Sequence, residues 1–139
     1  TAWQAGTLNV RPVKPSTIAK SLAIGNPADG YYALRTMADS GGSAVAASDE
    51  EVVQGIRLLA ESEGIFAETA GGVVISGLRR LVEAGRVGRD ELVVAFITGS
   101  GLKTQEAVTG RLREPLHIQA AVSAFEQALG QREEALPAG

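Results

Sequence analysis

Six consecutive apolar residues, Leu92 to Ile97, follow the polar turn Gly88-Arg89-Asp90 and run straight into Thr98-Gly99-Ser100-Gly101-Leu102-Lys103. A short run that is apolar on both faces predicts a central parallel strand covered by helices on either side. Such a strand needs neighbours. Ser43 to Ala47 is a second candidate, Ile65-Phe66 a very short third, and Leu8, Val10 and Val13 mark an extended stretch ending near Pro12 and Pro15. Helical patterns separate these runs. The alternation predicts an α/β fold, with part of an open, mostly parallel sheet flanked by helices.

The helices announce themselves by their ends. Ser16 or Thr17 can cap a short helix carrying Ile18, Ala19, Leu22 and Ala23, stopped by Gly25. Asn26-Pro27-Ala28-Asp29-Gly30 is turn chemistry, and a second helix follows with Tyr32, Leu34 and Met37 toward its buried side. Ser48-Asp49-Glu50-Glu51 reads as a capping box opening a helix with Val52, Val53, Ile56 and Leu59 inward and Gly64 at its end. Ala70-Gly71-Gly72 leads into another helix, with Val74, Leu78, Leu81 and Val82 inward, ending at Gly85. Ile118 to Leu129 reads as a terminal amphipathic helix. Residues 1–130 are expected to form one folded portion, and residues 131–139 a flexible tail.

Composition removes several classes of function. Net charge is −3 and no Lys/Arg run exceeds the pair Arg79-Arg80, so the concentrated positive field that nucleic acid requires is not expected. Apolar runs are too short to span a bilayer, and nothing reads as a signal peptide. Zero cysteines exclude disulfides, thiolate chemistry and Cys-based metal sites from these residues. A cytoplasmic protein is expected. Thr1 stands first, as in a processed or excised segment.

Three places could carry chemistry. In open α/β sheets, ligands bind outside the carboxyl ends of the strands, which is where Thr98 is expected. Its hydroxyl can donate or accept, and Gly99 and Gly101 would let backbone approach a ligand, or merely shape a tight connection. Glu68, in Ala67-Glu68-Thr69-Ala70-Gly71-Gly72, could meet a cofactor or a cation; equally, Glu68 or Thr69 could only cap the helix. Asn26 and Asp29 could contact a ligand or form Asx-turns. His117 stands alone, and Lys14, Lys20 and Lys103 lack the apolar surroundings that would activate a Schiff-base lysine. Arg79, Arg80, Arg111 and Arg113 read as solvated charges. No metal-ligand cluster or catalytic triad is visible, and metal binding and catalytic residues are assigned to none of these positions.

Four segments in order resemble the C-terminal part of threonine synthases: Lys14-Pro15-Ser16-Thr17-Ile18-Ala19-Lys20-Ser21-Leu22-Ala23-Ile24-Gly25-Asn26-Pro27-Ala28-Asp29-Gly30, then Ser48-Asp49-Glu50-Glu51, then Gly64-Ile65-Phe66-Ala67-Glu68-Thr69-Ala70-Gly71-Gly72, and finally Ile97-Thr98-Gly99-Ser100-Gly101-Leu102-Lys103-Thr104. The resemblance implies a fold type II, tryptophan-synthase β-like enzyme, with residues 1–130 a C-terminal portion of the larger lobe of its catalytic domain. It implies pyridoxal 5'-phosphate as cofactor and conversion of O-phosphohomoserine and water to threonine and phosphate. Thr98 would hydrogen-bond the ring nitrogen, Gly99 and Gly101 would shape the turn beside the ring, and Glu68 would line the cofactor. Thr69 stands where relatives carry proline. The Ser-Phe-Lys-Asp motif that supplies the Schiff-base lysine is absent from these residues, as is the loop that grips the cofactor phosphate. The chain alone is therefore expected to be inactive, and to associate with an N-terminal part or with copies of itself. Threonine dehydratase, cysteate synthase and a non-catalytic interaction module are the alternatives.

Overall fold

The computed structural model describes residues 1–112 and 115–134. Arg113 and residues 135–139 of the expected tail lie outside them. The described chain is built from five α-helices: α1 (Gly30–Asp39), α2 (Asp49–Glu63), α3 (Thr69–Glu83), the single turn α4 (Glu106–Thr109) and α5 (Val122–Glu134). Two 3-10 turns, Lys20–Leu22 and Gly101–Lys103, complete the regular structure. Residues 131–134, expected in the tail, continue α5.

The expected parallel sheet is not there. Among the described residues the only β pairing is one isolated antiparallel bridge, Ala67 to Ser100. Leu92 to Ile97 is extended but unpaired, and it is not covered on both faces. Leu92 is 95% exposed and Phe96 75%, whereas Ala95 and Ile97 are partly buried. That alternation is the period of two of an extended chain lying with one face on a helix. Ile97 rests over Gly71, its Cγ2 3.4 Å from where a β-carbon on that glycine would stand. An apolar run records how readily a segment is buried. It does not record which backbone will offer the hydrogen bonds of a ladder, and no described segment offers them here.

The core lies between α2 and α3. Ser48 caps α2: its hydroxyl accepts from the Glu51 amide at 3.3 Å, and the Glu51 carboxylate accepts from the Ser48 amide at 2.7 Å. Gly64 ends the helix at φ 69°, a left-handed conformation that costs a residue with a β-carbon about 1–2 kcal/mol. The helices approach through glycines. A β-carbon on Gly72 would fall on the Val52 carbonyl and within 2.8 Å of Ile56, and one on Gly55 would lie 2.6 Å from the Ser76 hydroxyl. That hydroxyl sits 2.5 Å from the Glu51 carbonyl and 2.8 Å from that of Gly72, so it donates across the interface or along its own helix. Val52, Val53, Ile56 and Val108 form the buried cluster, with Ile18, Ala47 and Val73 packed against it.

The N-terminal third is held by scattered bonds. The Val13 amide donates to the Gly25 carbonyl at 2.9 Å. The Thr17 hydroxyl donates to Asp49 at 2.6 Å and accepts from the Ala19 amide, so the expected helix after Thr17 shrinks to the 3-10 turn. In α1 Leu34 is buried and Met37 partly so, but Tyr32 is 66% exposed. Two residues of helix turn the side chain about 200° away from Leu34, onto the opposite face.

Candidate functional site

The bridge between Ala67 and Ser100 brings together two of the segments singled out in the sequence. The Glu68 amide donates to the Gly99 carbonyl at 3.0 Å, and the Gly101 amide donates to the Phe66 carbonyl at 2.9 Å. These two bonds clamp the turn Thr98–Gly101 against the residues that lead into α3. Ser100 then opens the second 3-10 turn, its hydroxyl accepting from the Leu102 amide at 3.3 Å. Thr104 closes it, and its own hydroxyl accepts from the Thr69 amide at 3.3 Å.

The two glycines are filled from within the chain. A β-carbon on Gly101 would stand 2.6 Å from the Phe66 ring. One on Gly99 would fall on the Glu68 carboxylate, 2.8 Å from its Cγ. Glu68 is only 8% exposed, and as the residue before α3 it makes no side-chain cap bond. It stands at the helix N-terminus, whose unpaired amides carry partial positive charge. Next to it Thr69 is fully buried, and its hydroxyl oxygen has no hydrogen-bond partner among the described residues. Thr98, in contrast, is exposed. With no sheet among the described residues, its position follows from this clamp rather than from the carboxyl end of a strand.

The family described as pyridoxal-phosphate dependent enzymes matches residues 1–99, which include Glu68, Thr98 and Gly99. The chain belongs to that family. It is 40% identical over 129 residues to the threonine synthase of Methanocaldococcus jannaschii, a match covering 92% of this chain and 32% of that protein. The threonine synthase of Methanosarcina acetivorans is 39% identical over the same share of each. That of a Bacillus species is 43% identical over 90 residues, covering 65% of this chain and 26% of the relative. The chain thus spans about a third of the length of the first two relatives. Pyridoxal phosphate is the cofactor of the family.

The chemistry of the clamp residues is compatible with that cofactor. An exposed hydroxyl at Thr98 is a donor suited to a ring nitrogen, and the carboxylate held over Gly99 lies next along the chain. The other positions considered from sequence are not drawn into this cluster. Asn26 lines an open cleft of about 520 Å³ with Asn9 and Tyr31, and Asp29 precedes α1 without capping it. His117, Lys14 and Lys103 are exposed, and Lys20 pairs with Glu106 at 3.0 Å. That hydrogen bond from Lys20 holds the Glu106 carboxyl below its usual range. Arg80 pairs with Glu51 at 2.8 Å, Arg79 with Glu83 at 2.7 Å, and Arg111 with Glu50. No cluster of metal-ligating residues exists among the described residues, and no described helix is long and apolar enough to cross a membrane.

Sequence reasoning missed Phe66, Thr69 and Thr104 as parts of the site. Phe66 read only as a strand residue. The signal for it was the second glycine: a Gly-x-Gly turn leaves two vacancies, and a neighbouring aromatic is a natural occupant of one.

Proposed function

We propose that this chain is the C-terminal section of a threonine synthase, a lyase that converts O-phosphohomoserine and water to threonine and phosphate in the cytoplasm. The observation that carries the reading is the clamp of the Glu68 segment on the Thr98–Gly101 turn, which joins two distant motif segments in one cluster. The similarity to threonine synthases across most of the chain supports the reaction class.

In this reading the Thr98 hydroxyl donates to the ring nitrogen of the cofactor. A neutral hydroxyl, unlike a carboxylate, leaves that nitrogen largely unprotonated. Bound pyridoxal phosphate supplies the electron sink for loss of the γ-phosphate and addition of water at the β-carbon. Gly99 and Gly101 keep the turn narrow, Glu68 lines the cofactor side, and Phe66 and Thr104 fix the turn from below. The lysine that anchors the cofactor and the groups that hold its phosphate come from polypeptide outside these residues. The 139 residues alone are therefore inactive, and they associate with an N-terminal part or with a second copy.

Thr98→Ala in the complete enzyme tests the assignment. Loss of one hydrogen bond of about 0.5–1.5 kcal/mol should weaken cofactor retention roughly threefold to tenfold and lower threonine formation. Unchanged affinity and turnover would remove Thr98 from the site. Threonine formation by the 139-residue chain alone would overturn the division of labour.

A further inference from the structure

We propose that Gly99 is a positioning residue: its missing side chain is the seat of the Glu68 carboxylate, and residues 68 and 99 act as a coupled pair beside Thr98. This rests on the reading that Thr98 faces the cofactor.

The argument is steric first. The carboxylate of Glu68 occupies the space a β-carbon at Gly99 would need. Backbone bonds pin the turn on both sides, from the Glu68 amide to the Gly99 carbonyl and from the Gly101 amide to the Phe66 carbonyl. The clash at Gly99 involves the flexible end of a side chain, whereas the backbone around it is held. A methyl group at 99 therefore evicts the carboxylate before it opens the turn. Gly101 differs, because a methyl there meets the Phe66 ring and not a carboxylate. The role of Gly99 is thus not backbone freedom, and its φ is not in the left-handed range.

The consequence is electrostatic. Glu68 is a buried acid without a cap bond, and acids are almost never fully buried unless paired. Seated on Gly99, it lies next to the residue whose hydroxyl is proposed to address the ring nitrogen. A negative charge there favours the protonated form of the bound ring and so raises the pH at which that form is lost. The hydroxyl and the carboxylate together would set the proton balance of the ring, with Gly99 the condition for the second.

The test is a double-mutant cycle in the holoenzyme, read by titration with pyridoxal phosphate and by the pH dependence of the bound cofactor's absorbance. Gly99→Ala should weaken cofactor affinity about tenfold and shift the absorbance midpoint to lower pH. Glu68→Ala should do the same. The double variant should match Glu68→Ala within about twofold, because the clash has nothing left to evict. Should Gly99→Ala fail to fold, the double variant decides, since it lacks the clash. The inference is overturned if the two changes multiply, if Gly99→Ala leaves affinity and midpoint as in the wild type, or if the double variant also fails to fold. A wild-type protein that does not bind the cofactor, or a silent Thr98→Ala, sinks the site reading itself. Normal Thr98 dependence with multiplying effects at 68 and 99 sinks only the coupling.

Discussion

The α2–α3 pair and the segment from Leu92 to Ile97 are both rich in apolar residues, yet one is a core and the other lies open. Val52, Val53 and Ile56 are almost completely buried, while Leu92, Val94 and Phe96 face outward. The difference is where each finds its partner. A helix satisfies its own backbone bonds and needs only a face to pack, which the glycines and small residues of α3 supply. An extended segment must borrow its backbone partners from elsewhere, and this one borrows only at its end, where the turn meets Phe66 and Glu68. The candidate site sits on that seam, anchored on the rigid side and open on the other.

The largest effect should come from the core side. Ile56 is 2% exposed and belongs to the cluster joining α2 to Val108. Ile56→Ala removes three carbons from a site with little room to collapse, and should destabilise the chain by about 3 kcal/mol in urea unfolding. A loss below about 1 kcal/mol would mean that the helix pair is not the unit that holds the fold.

What could be read from the chain beforehand divides along the same line. Ser48, Glu51 and Gly64 were legible because capping is settled within a few residues. The inward face of α2 was legible because a helix repeats its pattern locally, but that of α3 was not: Val82 is half exposed, and Gly72, Ser76 and Gly77 are buried in place of the expected Val74, Leu78 and Leu81. Leu92–Ile97 misled, since its apolarity spoke of burial while the missing ladder is a non-local fact. Gly99 and Gly101 stood out in the turn itself, but the side chains that fill their space, Glu68 and Phe66, lie far upstream. After Thr17 only a 3-10 turn forms, and the Thr17 hydroxyl, besides accepting from the Ala19 amide, donates to Asp49, again a distant residue.

A smaller effect sharpens the local side of the comparison. Ser48→Ala removes the α2 cap and should cost about 1 kcal/mol at neutral pH. The same change should alter the response to acid. Hydrogen bonds from the Ser48 backbone and side chain, with Arg80 adding to them, hold the Glu51 carboxyl below its ordinary value of 4.5. A carboxyl whose folded pKa is depressed contributes stability above its unfolded value and loses it as pH falls through the folded one. The gap between wild type and Ser48→Ala should therefore be full at neutral pH and narrow as acid protonates Glu51. A gap that stays constant through that range would detach the cap from the carboxylate.

The smallest effect is expected on the open side. Phe96 is large and apolar, and in a core its loss would be among the costliest changes available. Here its ring is mostly in solvent, so Phe96→Ser should move the unfolding midpoint by no more than about 0.5 kcal/mol equivalent. The outward row Leu92, Val94 and Phe96 is nonetheless an exposed apolar strip, and such strips drive association. Sedimentation should therefore show less self-association for Phe96→Ser at equal stability. If the variant instead unfolds as readily as Ile56→Ala, Phe96 is buried in solution and the two regions are not the opposites described above. If stability and association both stay unchanged, the strip is open but inert, and the pull toward a partner must come from another face.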